Sequence, residues 1–421
     1  MKRLQFILFC LIFVSACSVS DDVETDKDAV TTDKEQSNDT NLADNDPDEI
    51  VSIDDEVYDF DIIDESDIIS DVDEIETVDS DNIDEVSDED LTGRNILIEQ
   101  IYFAGMNMGE AILIIGPDGT SVLIDVANDS HSSQIAEAIM RRTGKKEIDW
   151  VIITHYHNDH IGGFDNLFGS SAKERINIKK GIVLRGMLDI GSDMPGVEDF
   201  NEFCTLISGE LSAYVVNLCS GTQMSCGGGS GGPWPAQNCD GLLKGNLSIT
   251  DDDSLEFTSF IDLGYGAKIF FTHANGWVST NGGSTSAEKN GITIGWGNTD
   301  EENARSLGGV LKWGNFRYSF AGDTQGRDIK IEKFIADNSS KILIHGTDPL
   351  VSSTGGDAMH LSHHGLASST SAEWIDWLFP NDGKSRNAIV GTTGIYVTSP
   401  AQSVLDALGP RLGTGLVWAN A

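Results

Sequence analysis

Basic residues are scarce in this chain, and no stretch of it forms a Lys/Arg-rich stripe. The 421 residues hold 27 Lys and Arg against 68 Asp and Glu, which gives a formal charge of −41. Between residues 21 and 90, 31 acidic residues accompany only Lys27 and Lys34, so that residues 91–421 carry a net charge of −14. Tight binding of duplex nucleic acid depends on basic side chains that displace counterions from phosphates. We therefore expect no partner of that kind.

The sequence opens on an apolar run that is too short to span a membrane. Leu4 to Val14 follows Lys2 and Arg3 and falls well below the ~20 residues that a spanning helix needs. A basic start, a short apolar run and small residues before a Cys are typical of a bacterial signal peptide. Val14-Ser15-Ala16-Cys17 resembles a lipobox, so residues 1–17 are predicted to be a lipoprotein signal peptide with Cys17 as the lipidated residue. Because Ser18 follows the Cys, we expect an exported protein anchored by lipid in the cell envelope, with the outer membrane favoured.

Apolar residues are also sparse between residues 18 and 92, where single Ile and Val interrupt long acidic stretches. Such a segment buries too little apolar surface and repels itself too strongly to fold. It is predicted to be a disordered, solvated stalk. Calcium binding by its carboxylates is the alternative, but no glycine-turned loop of the EF-hand type is present.

Cysteine is limited to six residues, and four of them are concentrated in one Gly-rich segment from about 191 to 246, which is predicted to be an insertion or lid. These four are Cys204, Cys219, Cys226 and Cys239. In an oxidising compartment they can form two disulfides, with three pairings open. A zinc held by four thiolates is the weaker alternative, because no CxxC pair occurs.

Regular structure is predicted from Asn95 onward. Strands are predicted in three segments that are rich in Ile, Val and Leu and are separated by turn residues, namely ILIEQIYFAG, EAILIIGPDG and TSVLIDVA. A helix is predicted over HSSQIAEAIMRRTG, with Ile135, Ala138 and Ile139 on one face and Gly144 as its stop. The apolar stretch GVLKWGNFRYSFA is predicted to be a further strand, ahead of Asp323.

Histidine clusters indicate the candidate active site. Three of the nine His lie between His155 and His160, after the predicted strand IDWVIIT, and three more lie between His360 and His364. Imidazoles two residues apart can bind one divalent ion, while Asp159 and the adjacent His160 can face a second ion. Two ions about 3.5–4 Å apart can share a hydroxide nucleophile and polarise the substrate oxygen. The HxHxDH spacing therefore predicts a two-metal hydrolytic site.

This motif, placed after an apolar strand, resembles the signature of the metallo-β-lactamase superfamily. The resemblance implies an α/β fold, a four-layer αββα sandwich, over residues 93–421. The order of the remaining motifs resembles the metal-hydrolase domain of ComEC-type competence proteins, and extracellular phosphorylcholine esterases use a similar set. The matching segments are Gly109–Ile114, Leu123-Ile124-Asp125, His273, Gly322-Asp323 and His363-His364-Gly365.

The resemblance implies two divalent ions and a ligand set that contains only His and Asp. That set favours zinc, with manganese or iron as alternatives. His155, His157 and His273 would bind the first ion, and Asp323 would bridge both. The full set of implied metal ligands is His155, His157, Asp159, His160, His273, Asp323 and His364.

The last ligand is left open by the spacing. His364 is favoured, which leaves His363 to contact an anionic oxygen of the substrate or to donate a proton. Asp125 would orient ligand imidazoles from beyond the metals. Asp159, His363 and Asp125 are accordingly the predicted catalytic residues.

The predicted function is hydrolysis by metal-bound hydroxide of a small phosphoester or phosphodiester outside the cytoplasm. The phosphate preference comes from the two resembled families. The alternatives are a lactonase-like or β-lactamase-like acyl hydrolase and a non-catalytic binding lipoprotein. Two departures from the ComEC-type pattern leave the substrate open: Asn107-Met108-Gly109-Glu110 stands in place of GQGD, and Val397-Thr398-Ser399-Pro400 lacks the His of a GHP motif. Both are expected to lie near the substrate side of the fold. The oligomeric state is not predicted.

Overall fold

The structure is a computed structural model, and the residues that it describes are 94–103, 109–186, 196–219, 239, 260–280, 283–295, 299–340, 342–345, 348–391 and 399–419. The predicted signal peptide, the lipobox Cys17, the acidic stalk and Cys226 lie outside the described residues. Among the helices of the described ranges, none combines the length and apolar character needed to cross a bilayer.

The first sheet contains six strands among the described residues, arranged in chain order from β1 to β6. β1, β2 and β3 pair antiparallel, whereas β3 to β6 run parallel. The strands are β1 (Leu97–Gln100), β2 (Ile112–Ile115), β3 (Ser121–Ile124), β4 (Glu147–Ile153), β5 (Asn177–Leu184) and β6 (Val215–Asn217).

The second sheet has the order β10-β9-β8-β11-β12-β15-β16-β17 in the described part of the chain, with β7 also paired to β8. The strands from β12 to β17 in this order run parallel. Its members are β7 (Phe260–Asp262), β8 (Lys268–Ala274), β9 (Trp277–Thr280), β10 (Gly283–Ser286), β11 (Gly308–Trp313), β12 (Phe316–Phe320), β15 (Ala358–His360), β16 (Asn387–Val390) and β17 (Val417–Ala419). A separate two-stranded ribbon joins β13 (Leu343–His345) to β14 (Asp348–Pro349).

Helices cover the outer face of each sheet. Because side chains alternate along a strand, Leu113 of β2 packs outward while Ile112 and Ile114 pack between the sheets. The outer core of the first sheet includes helices α1, α3 and α4, and that of the second sheet includes α6, α7 and α8. The helices are α1 (Ser132–Thr143), α2 (Asn158–Ile161), α3 (Phe164–Phe168), α4 (Val197–Ser208), α5 (Thr299–Asn303), α6 (Ile331–Ser339), α7 (Ala372–Leu378) and α8 (Gln402–Leu412).

These three apolar cores separate four layers, so the predicted αββα sandwich is confirmed. The helix predicted around Ile135 and Ile139 is α1, which buries both residues and ends at Gly144 in a left-handed conformation (φ 70°). That conformation is one that glycine adopts without steric cost.

One sequence prediction is wrong in detail. The stretch GVLKWGNFRYSFA is a hairpin, since β11 and β12 pair antiparallel on either side of Gly314, whose φ is 53°. Within the predicted insertion or lid of about 191–246, α4 buries Phe200 and Phe203 in the first core and β6 extends the first sheet. The Gly-rich residues that follow α4 obscured its apolar pattern in the sequence.

Cys219 and Cys239 form a disulfide, and Cys204 is also disulfide-bonded. The first bond connects the end of β6 to residue 239. Two of the four predicted disulfide cysteines are thereby paired with each other.

Candidate metal centre

The predicted site residues lie where strands of both sheets end. Asp125 follows β3, and the segment from His155 to His160 follows β4, which is parallel to β3. In the second sheet, Asp323 follows β12 and His364 follows the parallel strand β15. Carboxyl ends of parallel strands meet at one edge of a sheet, which is the usual place for a site in such folds.

One group of potential ligands consists of Asp159, His160, Asp323 and His364. Each offers a ligand atom, all four residues are buried, and these atoms lie within 4.8 Å of one another. His160 Nε2 is 3.3 Å from Asp323 Oδ1, and His364 Nε2 is 3.2 Å from Asp159 Oδ2. Ligand atoms that share an ion at 2.0–2.1 Å are ~3.4 Å apart in a tetrahedral shell. The spacing of this group therefore suits one bound metal.

A second group consists of His155, His157 and the same Asp323. His155 Nε2 lies 2.9 Å from His157 Nδ1 and 3.7 Å from Asp323 Oδ2. Asp323 thus presents one oxygen to each group, which is the arrangement of a bridging carboxylate. Its preceding Gly322 adopts a φ of 51°, and a Cβ there would come within 2.7 Å of Thr154. Glycine is therefore required before Asp323.

His273 lies outside both groups. Its Nε2 is 3.1 Å from Thr324 Oγ1, and its Nδ1 is 2.9 Å from Thr272 Oγ1. The Thr324 hydroxyl donates to the carbonyl oxygen of Ala321, and the Thr272 hydroxyl donates to that of Gly308. The structure thus holds His273 beside the centre without aiming a free ring nitrogen at it, and the predicted ligand role stays a prediction.

Asp125 orients His160 from behind. Its Oδ2 accepts from His160 Nδ1 at 2.8 Å, and its two oxygens also accept from the backbone N–H and the hydroxyl of Thr154. This carboxylate assigns the proton to Nδ1 and leaves Nε2 free to face Asp323. Asp125 holds a left-handed φ of 58°, a costly conformation for a non-glycine residue.

His364, and not His363, enters the ligand group. Its Nδ1 donates to the carbonyl oxygen of Gly391 at 2.9 Å and is 3.4 Å from Glu110 Oε1. Glu110 Oε1 also lies 3.4 Å from His360 Nε2. Glu110, the last residue of the segment that departs from GQGD, is therefore buried behind a candidate ligand. Asn107, Met108, Val397 and Thr398 lie outside the described residues.

His363 has a side chain that remains 15% exposed, whereas the ligand His side chains are almost fully buried. Its Nε2 is 3.6 Å from Asp323 Oδ2 and 3.4 Å from Asn303 Nδ2. Burial lowers its pKa, which keeps the ring neutral. It stands where a substrate group next to Asp323 could be contacted.

Charges in the centre are balanced without Lys or Arg. Burial alone lowers the pKa of His160, but Asp323, Asp125 and Asp159 together raise it well above its ordinary value. Burial raises the pKa of Asp323, but His160 and His363 more than reverse this, so its pKa falls well below its ordinary value. Buried carboxylates that rely on imidazoles alone form a strong field for a cation.

The donor set fits a divalent metal. His157 Nε2, His160 Nε2 and Asp323 Oδ1 are buried and have no hydrogen-bond partner among the described residues. Buried polar atoms are normally paired, and imidazole and carboxylate donors together suit zinc, iron or manganese. The two groups are therefore candidate metal-binding clusters that share one carboxylate.

Several residues of the site were not predicted from the sequence. Arg185 and Glu302 are buried and paired at 2.9 Å, and Glu302 also accepts from the backbone N–H of Tyr156, between the two motif histidines. Asn303 touches His363. No local pattern marks these residues. Glu110 is the exception, because it directly follows Gly109 in the segment that resembles the GDAILI-like strand pair and could have been predicted from that position.

Comparison with known proteins agrees with the fold. Residues 105–185 match the family model described as the metallo-beta-lactamase superfamily. Among curated proteins no match to this sequence was found.

Solved structures with a similar fold match at low identity. CmlA, a diiron β-hydroxylase from Streptomyces venezuelae, is 13% identical with a TM-score of 0.33, and the match covers 78% of this chain and 53% of that chain. A protein from Parabacteroides distasonis named as a metal-dependent hydrolase is 13% identical with a TM-score of 0.30 and coverages of 78% and 94%. A diphosphatase from the PhnP family is 14% identical with a TM-score of 0.27 and coverages of 67% and 72%.

The chain spans about half the length of the CmlA chain that it matches. At these identities and TM-scores the solved structures carry no argument about activity. Residues 105–185 are therefore similar to the metallo-β-lactamase superfamily, and the four layers and the His/Asp clusters at the strand ends agree with that similarity.

Proposed function

We propose that this protein is a binuclear metal-dependent hydrolase. The observation that carries the proposal is the position of Asp323, which belongs to both ligand groups and can bridge two ions. His155 and His157 would hold one ion with Asp323, and Asp159, His160 and His364 would hold the other. The resemblance adds His273 as a further ligand of the first ion, although its Nε2 contacts Thr324 Oγ1. Zinc is favoured, with manganese or iron as alternatives.

Two divalent ions held there would lower the pKa of a bound water and would neutralise charge that develops on the substrate. The chain's own residues supply orientation. Asp125 keeps the proton of His160 on Nδ1, and the Gly391 carbonyl does the same for His364. Such outer partners fix the direction of each ligand ring, so the centre is organised before substrate arrives.

A small phosphoester or phosphodiester is the proposed substrate class. Support comes from the ComEC-type motif order and from His363, a neutral and partly exposed imidazole that can donate a hydrogen bond to an anionic oxygen. The net charge of −14 beyond the acidic segment disfavours duplex nucleic acid as a tightly held partner. A compact phosphorylated molecule fits this electrostatic setting better.

The test uses the full chain loaded in turn with zinc, manganese and iron. Initial rates are measured on bis-p-nitrophenyl phosphate, p-nitrophenyl phosphate, a lactone and a chromogenic cephalosporin. We expect turnover of at least one phosphate ester and its loss in Asp323→Asn, which keeps the size of the side chain but removes the bridging charge. Cleavage of only the lactone or cephalosporin would favour the acyl-hydrolase alternative.

A binding protein without catalysis is the remaining alternative. Fewer than two metals per chain, unrestored by added zinc or manganese, would contradict the hydrolase proposal. Asp337→Asn is the matched control, because Asp337 is an exposed acid on α6 whose charge is removed without touching the centre.

We also infer that the enzyme works outside the cytoplasm on a lipid anchor at Cys17. The lipobox resemblance supports this, and so does the Cys219–Cys239 disulfide, since such bonds persist in oxidising compartments. Cys17→Ala should move the protein from the membrane fraction to the soluble fraction and abolish labelling by a fatty-acid probe. Labelling that persists in the variant would contradict the anchor.

A further inference from the structure

Helix α5 and the residues that connect it to β11 contact the loops after β4, β12 and β15, which carry the candidate ligands. We call residues 300–307 the bracing segment. It lies outside both ligand groups, and no residue of it belongs to a motif recognised in the sequence. Its contacts reach both sheets.

Towards the first sheet, the bracing segment holds the loop after β4. Glu302 Oε1 accepts from Tyr156 N at 3.0 Å, and Leu307 N donates to the carbonyl oxygen of Thr154 at 2.8 Å. These bonds flank His155 on both sides. Glu302 is itself fixed by Arg185, which donates to both carboxylate oxygens and stacks on the Tyr156 ring at 4.2 Å.

Towards the second sheet, the bracing segment holds the loops after β12 and β15. Ser306 Oγ accepts from the backbone N–H of Asp323 at 3.2 Å. Asp300 Oδ1 accepts from Gln325 Nε2 at 2.8 Å, two residues beyond that ligand. Asn303 Nδ2 lies 3.4 Å from His363 Nε2.

We propose that the bracing segment is the positioning element of the metal centre, which sets the distance between the ligand loops of the two sheets. The inference rests on the proposed metal-dependent function. Asp323 must reach both ligand groups at once, so a small shift of its backbone changes two metal sites together. The bracing segment is hydrogen-bonded to Thr154, Tyr156, Asp323 and His363. It therefore connects the ligand loops directly, whereas each sheet carries its own loops at its strand ends.

The test measures metal affinity on the full chain by competition with a chelator, using zinc and, for its absorption spectrum, cobalt. Ser306→Ala removes the acceptor for Asp323 N without adding bulk. We expect at least one of the two metals to bind about 10-fold more weakly, with a changed cobalt spectrum, as loss of outer partners generally does. Ser339→Ala is the matched control, because Ser339 is an equally buried serine that lies on α6, outside the bracing segment and outside both ligand groups. It should bind both metals as the wild type does.

A second pair of variants avoids any dependence on the folding of Ser306→Ala. Asp300 is exposed, so its replacement leaves the core intact. Asp300→Ala should weaken metal binding several-fold, whereas Asp300→Asn keeps the Oδ1 acceptor for Gln325 and should restore it. Equal weakening in both Asp300 variants would show that only charge matters and would overturn the inference.

The other outcomes separate a failure of this inference from a failure of the proposed function. Unchanged affinity and spectrum in both Ser306→Ala and Asp300→Ala would overturn the positioning role, even if either variant unfolds at lower temperature. A wild-type protein that binds no metal would overturn the proposed function and this inference together. Intact wild-type binding with unaffected variants would overturn the inference alone.

Discussion

Replacing Asp125 by Asn tests how the centre controls the proton of a ligand. In the wild type, two carboxylate oxygens accept from three donors: Thr154 N, Thr154 Oγ1 and His160 Nδ1. An Asn amide has one acceptor oxygen, so its NH₂ group must face either Thr154 N or both Thr154 Oγ1 and His160 Nδ1. If it faces His160, the ring is driven to carry its proton on Nε2, the nitrogen that points at Asp323.

Both orientations of the amide have a measurable cost. A proton on Nε2 removes His160 as a ligand, and we expect metal affinity to fall by about 10–100-fold, or about 1.4–2.7 kcal/mol. The other orientation leaves the Thr154 N–H buried and unpaired, which costs about 1–3 kcal/mol of folding stability. Because the amide will adopt the less costly state, at least one of the two losses must appear.

The assay combines zinc titration in competition with a chelator, metal analysis after dialysis and urea unfolding with and without zinc. Asp337→Asn serves as the control for loss of one negative charge, since Asp337 is exposed and pairs with Lys333 at 2.6 Å on α6. If Asp125→Asn keeps zinc affinity within twofold of wild type and unfolds at the same urea concentration, Asp125 does not orient His160 and the reasoning is refuted.

Three further predictions concern the two adjacent histidines, a buried acid and a buried ion pair. His364→Ala should lose one of two metals, whereas His363→Ala should keep both and lower kcat by about 10²–10⁴-fold; metal analysis and steady-state rates separate them, and the reverse result would exchange their roles. Burial raises the pKa of Glu332 from 4.5 to about 7, so its stabilising contribution is complete below pH 4.5 and lost as the pH rises through 7. The free energy of unfolding relative to Glu332→Gln should therefore fall by up to about 3 kcal/mol from pH 4.5 to 8, and a pH-independent difference would contradict this. Glu302→Ala removes the carboxylate partner of the buried Arg185, so urea unfolding should show a loss of about 3–5 kcal/mol, and a loss below about 1 kcal/mol would show that the pair adds little.

Much of the site's local arrangement could be predicted from the sequence. Three of the potential ligands, His155, His157 and His160, lie within six residues after an apolar strand, so their nearness follows from chain geometry alone. The end of α1 at Gly144 was predictable for the same reason, since a helix stop depends on the conformation of one residue. The fold class followed from the resemblance of motifs in a fixed order.

Other features depended on the path of the whole chain. The hairpin at Gly314 was missed because one glycine within an apolar stretch does not distinguish a turn from a continuous strand. The choice between His363 and His364 was open because they are adjacent residues of the same type, and only their contacts with Asn303 and Gly391 separate them.

By itself, the sequence determined which residue types could bind metals, where the strands and helices that carry them lie, and that one acidic segment holds most of the negative charge. The tertiary structure alone decided that Asp323 serves two ligand groups, that Glu110 lies behind His364, and that Glu302 holds Tyr156 across 146 residues. The physical reason is the distance along the chain over which each interaction acts. Strand ends and motif spacing are set by neighbouring residues, whereas a contact between distant segments exists only once both sheets have packed and closed the chain around the site.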